Sequence, residues 1–238
     1  MPTDSSDTIQ DIALAHLADA NQRVTQHLQA IYGLPGVVER SAGELRTAFQ
    51  EADQAIRTSI GRERDFPGRA AELPAEERER AWRAEAERFE STAQRALRKF
   101  DAAIPATVEA LGVLTRIGQV SAAEQALARQ DLEAAGGDGE RLDPREIIEL
   151  AGSSDARAHA LRSAWGKALL RRAGLDPGPE LVGVRLARAK AAGGHKAAAA
   201  EALEKLEERL LVANGALRGA VDERMRQHRK GAPRPRLR

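Results

Sequence analysis

The side chains best suited to bind a metal or transfer a proton near neutral pH are five histidines: His16, His27, His159, His195 and His228. None of them has a glutamate three residues before it, which excludes the Glu-x-x-His pair of di-iron helical bundles. On one helix, His16 and His27 would lie three turns apart, too far to hold one ion. Asp155 and His159 supply two ligands where zinc requires three or four. We therefore predict no metal site, and interpret Asp155 with His159 as a surface ion pair.

Two glycine-containing loops also lack the spacing of known ligand sites. Gly193-Gly194-His195-Lys196 lacks the length and the terminal hydroxyl residue of a phosphate-binding P-loop. The loop from Gly136 to Asp143 contains acids, but without the spacing of a calcium-binding EF-hand. The chain has no cysteine, which excludes disulfides and thiolate chemistry. We predict no catalytic residue and no cofactor, and expect a protein that is not an enzyme. An enzyme with its site in a bundle cleft is the weaker alternative, which a cofactor found on purification would indicate.

Charge is distributed unevenly along the chain, although the net charge is only +1. Residues 1–60 carry four basic and eight acidic side chains, whereas residues 181–238 carry fourteen basic and six acidic ones. After Glu223 there is no further acid, and the candidate polyanion-binding residues are Arg224, Arg226, Arg229, Lys230, Arg234, Arg236 and Arg238. Such a segment can neutralise phosphates, dock on an acidic subunit, or serve only as a solubilising tail. No aromatic residue lies there to stack on bases, which argues against single-strand recognition.

The spacing of apolar residues predicts the elements that carry these side chains. Alanine, leucine, glutamate and arginine, all good helix formers, are abundant, and aromatics are only 3% of residues. Apolar residues recur every three or four positions in Trp82, Ala86, Phe89, Ala93, Ala96, Phe100 and Ala103. Such a narrow stripe requires another helix to cover it. No sustained alternation typical of a strand occurs. The sequence predicts an all-α protein.

The N-terminal part, residues 1–104, is predicted to be an antiparallel, coiled-coil-like bundle of three long helices. The first helix ends at the Gly33–Gly36 turn, and the second ends at a break from Gly61 to Pro74. Pro105, which lacks a backbone N–H, is expected to kink or end the third helix. The side chains of Phe49, Phe89 and Phe100 are expected to fill the core between these helices.

The remainder is predicted to form shorter helices and then one long helix. Residues 105–180 contain several short segments, with Ser121, Asp143 and Ser154 as helix N-caps. Residues 181–230 are expected to form a helical hairpin whose second helix is long and unbroken after Gly194. Residues 231–238 form a basic tail that we expect to be disordered.

A short sequence pattern recurs within the chain and resembles a helical repeat. Leu142-Asp143-Pro144 recurs 33 residues later as Leu175-Asp176-Pro177, and the spacing of Gly118, Ala123 and Leu127 matches that of Gly194, Ala199 and Leu203. This pattern resembles the helix–turn–helix of tetratricopeptide repeats and covers about a third of the chain. Between the two matches, Trp165 and Arg172 fall where that family requires small residues. We therefore do not predict a repeat array.

These observations favour a helical assembly, adaptor or scaffold protein that acts through protein–protein contacts, including self-association. The alternative is a nucleic-acid-associated protein that binds phosphate backbone through its basic C-terminal segment. The first dozen residues are acidic, unlike a secretory leader, and no apolar run approaches the roughly 20 residues that cross a bilayer. We expect a cytoplasmic location.

Overall fold

The computed structural model describes the backbone of residues 5–135 and 144–232, and side chains within those ranges from residue 11 onward. There the chain forms helices and no strand, which confirms the all-α prediction. The α-helices are α1 (Ser5–Ala30), α2 (Gly36–Arg69), α3 (Ala75–Leu114), α4 (Ala122–Ala135), α5 (Pro144–Gly152), α6 (Asp155–Arg162), α7 (Ala164–Arg172), α8 (Pro177–Ala192), α9 (Gly194–Glu204) and α10 (Val212–Arg229). A π-helical turn, Glu207–Leu211, precedes α10.

The chain divides into two compact units. The first comprises Met1–Val108 and Lys205–Arg238, and the second comprises Glu109–Glu204. This division differs from the predicted boundaries at residues 104, 180 and 230, because the end of the chain belongs with the N-terminal helices. None of the helices in the described ranges has the combined length and apolar character needed to cross a membrane.

In the first unit, α2 and α3 pack side by side in opposite directions. The Phe49 and Phe100 rings lie 6.3 Å apart near one end, and the Phe66 and Trp82 rings lie 4.9 Å apart near the other. Phe49, Phe89 and Phe100 are all buried, as predicted. The alternating apolar spacing therefore places the large side chains between the helices.

Helix α10 is a fourth member of the bundle, which the sequence did not predict. It runs antiparallel to α3, because Asp101 accepts a hydrogen bond from Arg218 whereas Trp82 donates one to the carbonyl of His228. It also packs along α1, where Gly219 faces His16. The first unit is thus an antiparallel four-helix bundle of α1, α2, α10 and the part of α3 up to Val108.

The predicted break from Gly61 to Pro74 is wrong over most of its length, since α2 continues to Arg69. Ile60, Glu63 and Phe66 lie on its buried face, so tertiary packing offsets the weak helix propensity of Gly61. Pro67 lies in the last turn, so a distortion at this proline affects only the end of α2. Only the short segment after Arg69 is a true interruption.

Pro105 does not end α3, which corrects the prediction of a separate helix after it. The buried residues Ala103 and Ile104 precede the proline, and Thr107, Ala110 and Leu111 follow it. The Thr107 hydroxyl donates to the Ala103 carbonyl at 2.9 Å, within the interrupted turn. Packing on both sides therefore outweighs the helix-breaking effect of this proline, about 3 kcal/mol.

The second unit consists of α4 to α9 and the last turns of α3. The predicted cap at Ser121 is confirmed as a capping box, with Glu124 accepting from the Ser121 amide at 2.9 Å. Ser154 caps α6, as predicted. The helix predicted to begin at Ser154 and to include Leu169 is instead two helices, because the chain breaks at Ser163, which caps α7. Gly166 permits this corner, because a Cβ there would overlap the Leu161 carbonyl.

The predicted unbroken last helix is also interrupted, because α9 ends at Glu204 and the π-helical turn leads into α10. Apolar spacing does not reveal this break, since both segments keep helical periodicity. The recurring sequence pattern, from which no repeat array was predicted, does not correspond to matching environments either. Leu127 is exposed, whereas its counterpart Leu203 packs beside the buried cluster of α8 and α9.

Candidate protein-binding groove

The structure separates the predicted polyanion-binding residues into different environments. Arg224 is fully buried, while Arg229 and Lys230 are exposed at the end of α10. Arg226 is exposed and pairs with Glu223 at 3.0 Å. Three further members of the set lie outside the described residues: Arg234, Arg236 and Arg238.

Arg224 holds the bundle together rather than facing solvent. Its guanidinium donates to Glu63 at 2.5 Å and to the Ser59 hydroxyl at 3.1 Å, both on α2. Arg224 continues the buried stripe of Leu217 and Ala220, at helical spacing. The prediction that Arg224 faces a polyanion is therefore corrected, because the Arg224 side chain has no exposed surface.

His228 lies beside this network and is held from several sides. Its Nε2 atom is 3.0 Å from the Ser59 hydroxyl, and its ring packs on Trp82 with centroids 4.6 Å apart. Burial, together with the charge of Arg224, lowers the pKa of His228 from 6.5 to about 4, although Glu63 opposes the shift. The ring is therefore neutral at physiological pH.

The predicted disorder from Gly231 onward is wrong for the first two residues of that tail. The Ala232 amide donates to Glu79 at 3.2 Å, and Ala232 packs beside the cluster of Phe66 and Trp82. Residues 233–238 lie outside the described residues. Truncation at residue 229 would therefore remove packed structure.

The other histidines do not form a metal centre in the part of the chain that the structure describes, where no three histidine, aspartate or glutamate side chains converge suitably. Asp155 pairs with Arg188 at 2.5 Å instead of the predicted partner His159. His27 is fully buried, and neither ring nitrogen has a partner among the described residues. Burial, assisted by the charge of Arg209, lowers the pKa of His27 to about 4.

The first unit has a groove of about 670 Å³, lined mainly by α2 and α3. We call it the α2–α3 groove. Near one end the Lys99 ammonium bridges to Glu51 at 2.7 Å, and near the other Arg62 bridges to Glu85 at 2.8 Å. Glu51 and Arg62 are eleven residues apart on α2, so the section between the bridges is about 16 Å long.

Small side chains keep the α2–α3 groove open. Ala55 and Ala96 form its floor together with the ring of Phe89, and all three are buried. The aromatic cluster of Trp82 and His228 closes the floor at one end. The groove is therefore apolar at the bottom, which provides area for a partner to bury.

A row of four uncharged polar side chains follows the α2 side of the groove, beside the charged Glu51 and Arg62, although 31% of the chain is charged. It consists of Thr47, Gln50, Gln54 and Thr58, which line the groove at three- and four-residue steps. Depletion of charge is characteristic of interface centres, whereas a face exposed only to water commonly carries charges in this chain. This uncharged stripe is the sequence signal that could have indicated the groove.

The carboxylate within the groove suits binding rather than proton transfer. Burial raises the pKa of Glu85, but the hydrogen bond from Arg62 and the charges of Arg62, Arg88 and Arg69 outweigh burial and lower that pKa below its usual value. Glu85 therefore stays ionised near neutral pH and acts as an anchor for cations.

No family model matches the chain, and comparison with curated proteins and solved structures gave no significant match.

Proposed function

We propose that this protein is a non-enzymatic assembly or adaptor protein that binds a helix of a partner in the α2–α3 groove. The observation that carries the proposal is the groove itself, with an alanine and aromatic floor beside a row of uncharged polar side chains on α2. Two antiparallel helices with lining residues at three- and four-residue steps offer the surface against which a further helix packs. The proposal includes a cytoplasmic location.

The dimensions also favour a helical occupant. The section between the two ionic bridges has room for about three turns of helix. The cations Arg88, Arg95 and Lys99 lie along the α3 side, so a partner with acidic residues beside its apolar stripe is the best match. Burial of that stripe would supply the affinity, and the cations would orient the partner.

The first prediction concerns Thr92 and its neighbour Ser91, both exposed on α3. Thr92 lines the groove and Ser91 does not. We expect Thr92→Trp to fill the groove and weaken partner binding at least tenfold, whereas Ser91→Trp leaves binding within a factor of two. The measurement is quantitative co-purification of partners from the native cell, followed by titration of the purified partner.

The pair of variants controls for the added indole. Because both residues are exposed, neither substitution removes core packing, and circular dichroism should show the same helix content. Equal binding by Thr92→Trp and the wild type would contradict a role of the groove in partner binding.

A second candidate function is non-specific binding of nucleic acid by the basic end of the chain. Arg229 and Lys230 are exposed, and three more arginines follow in the sequence. If these five cations make three or four phosphate contacts, the log–log salt dependence of duplex binding has a slope of about −3 to −4. Filter binding or anisotropy with two unrelated duplexes should give equal affinities.

The matched variant for this test is deletion of residues 233–238, which spares the contacts of His228 and Ala232 with the bundle. We expect the deletion to reduce the slope to about −2 or less in magnitude. Arg224→Gln is not a suitable control, because Arg224 is buried. Failure of the full chain to bind at low salt would remove this candidate.

A further inference from the structure

Helix α4 of the second unit carries apolar side chains on two opposite faces, the outer of which also includes Gln130. Ala128 and Leu132 face the core of the unit and are buried. A second stripe on the other side consists of Ala123, Leu127, Gln130 and Ala134, all exposed. Leu127 is the large apolar side chain of this stripe and is 62% exposed. This outer stripe has the four–three–four spacing of a helix that packs on other helices.

The charge of α4 is opposite to that of the α2–α3 groove. The helix carries Glu124, Asp131 and Glu133 but only one cation, Arg129, and Arg157 of α6 pairs with Asp131 at 2.8 Å. The groove is lined by four cations and two carboxylates. Attraction between the acidic helix and the basic groove therefore favours their approach.

The lengths agree as well. Ala123 and Ala134 are eleven residues apart, which places the ends of the outer stripe about 16 Å apart. This equals the section of the groove between the Glu51–Lys99 and Arg62–Glu85 bridges. Leu127 would then meet the floor formed by Ala55 and Ala96, where small side chains leave space for it.

We propose that the α2–α3 groove of one molecule binds the outer face of α4 of a second copy of this chain. The inference rests on the proposed function, since it names the occupant of the same groove. The contact joins two different surfaces, so the pair keeps one free groove, on one molecule, and one free α4, on the other. A groove facing a second groove cannot be the contact, because two concave surfaces do not fill each other.

Sedimentation velocity of the full chain across a concentration series tests the proposal. We expect the wild type to self-associate in a concentration-dependent manner. Leu127→Glu and Thr92→Trp should each abolish self-association, because one removes the occupant and the other fills the groove. Val182→Glu is the matched control, since Val182 is an exposed aliphatic residue on α8 and should leave association unchanged.

The decisive step mixes the two defective variants. Leu127→Glu retains an intact groove and Thr92→Trp retains an intact α4, so the mixture should form a dimer that does not grow further. A wild type that stays monomeric, or a mixture that stays monomeric, would overturn the proposal. Should the wild type be monomeric while Thr92→Trp still weakens capture of another protein, the proposed function survives and only the self-docking fails.

Discussion

Lowering the pH from 7.5 to 5 is expected to reduce the free energy of unfolding of the bundle by about 4 kcal/mol. His27 and His228 are both buried, and burial lowers the pKa of each from 6.5 to about 4. The unfolded chain therefore takes up two protons in this range that the folded chain does not. Each proton contributes about 2 kcal/mol over the interval.

The sign follows from which state binds more protons. Above about pH 7.5 both histidines are neutral in both states, so their contribution to stability is constant. As the pH falls through 6.5 the unfolded state becomes protonated, and the loss continues until the folded state protonates near pH 4. Arg224, Glu63 and Glu85 act on His228, and Arg209 acts on His27, but burial is the largest cause for both.

Urea unfolding at several pH values measures this effect. A Trp165→Phe background makes Trp82 the only tryptophan, so fluorescence reports the first unit. His27→Leu should retain about half of the pH dependence and be neutral or stabilising at pH 7.5, because its ring nitrogens have no partners to lose. His195→Gln serves as the control, because His195 is exposed. A flat profile in the wild type between pH 7.5 and 5 would contradict the assignment.

Arg224→Met is expected to destabilise the bundle by about 3–5 kcal/mol. Arg224 is fully buried, and its substitution leaves the buried carboxylate of Glu63 and the Ser59 hydroxyl without the guanidinium that they contact. Because removing one member of a buried pair exposes the other to an apolar environment, the cost exceeds the value of the pair itself.

The double variant Arg224→Met with Glu63→Leu separates the pair from its surroundings. We expect the double variant to be more stable than the sum of the two single changes by at least about 2 kcal/mol. Arg226→Met, two residues away and exposed, should change stability by less than about 0.5 kcal/mol. Additive effects of the two single substitutions would show that the ion pair contributes nothing specific.

The sequence predicted the helices well, because periodicity depends on burial along each helix. It failed where tertiary packing overrides local preference, as at Gly61 and Pro105, which stay helical because buried residues flank them. The fourth bundle helix was missed because α3 and α10 are more than ninety residues apart in the chain, and helical spacing does not identify a helix's neighbour.

The site was harder to predict than the fold. Arg224 was assigned to the basic end by its charge, although its spacing from Leu217 and Ala220 places it on the buried face. The groove depends on the register between α2 and α3, which brings Ala55 opposite Ala96. That register is a property of the packed pair and is not encoded in either helix alone.

The first unit is formed by two stretches that lie far apart in the chain, and this affects how the protein folds during its synthesis. Residues 109–204 leave the ribosome before any residue of α10 does, so the second unit can fold while the bundle still lacks its fourth helix. During that interval the faces of α1 and α3 that later cover α10 are open to chaperones and to neighbouring nascent chains. Translation must therefore reach His228, whose carbonyl accepts the Trp82 hydrogen bond, before the bundle closes.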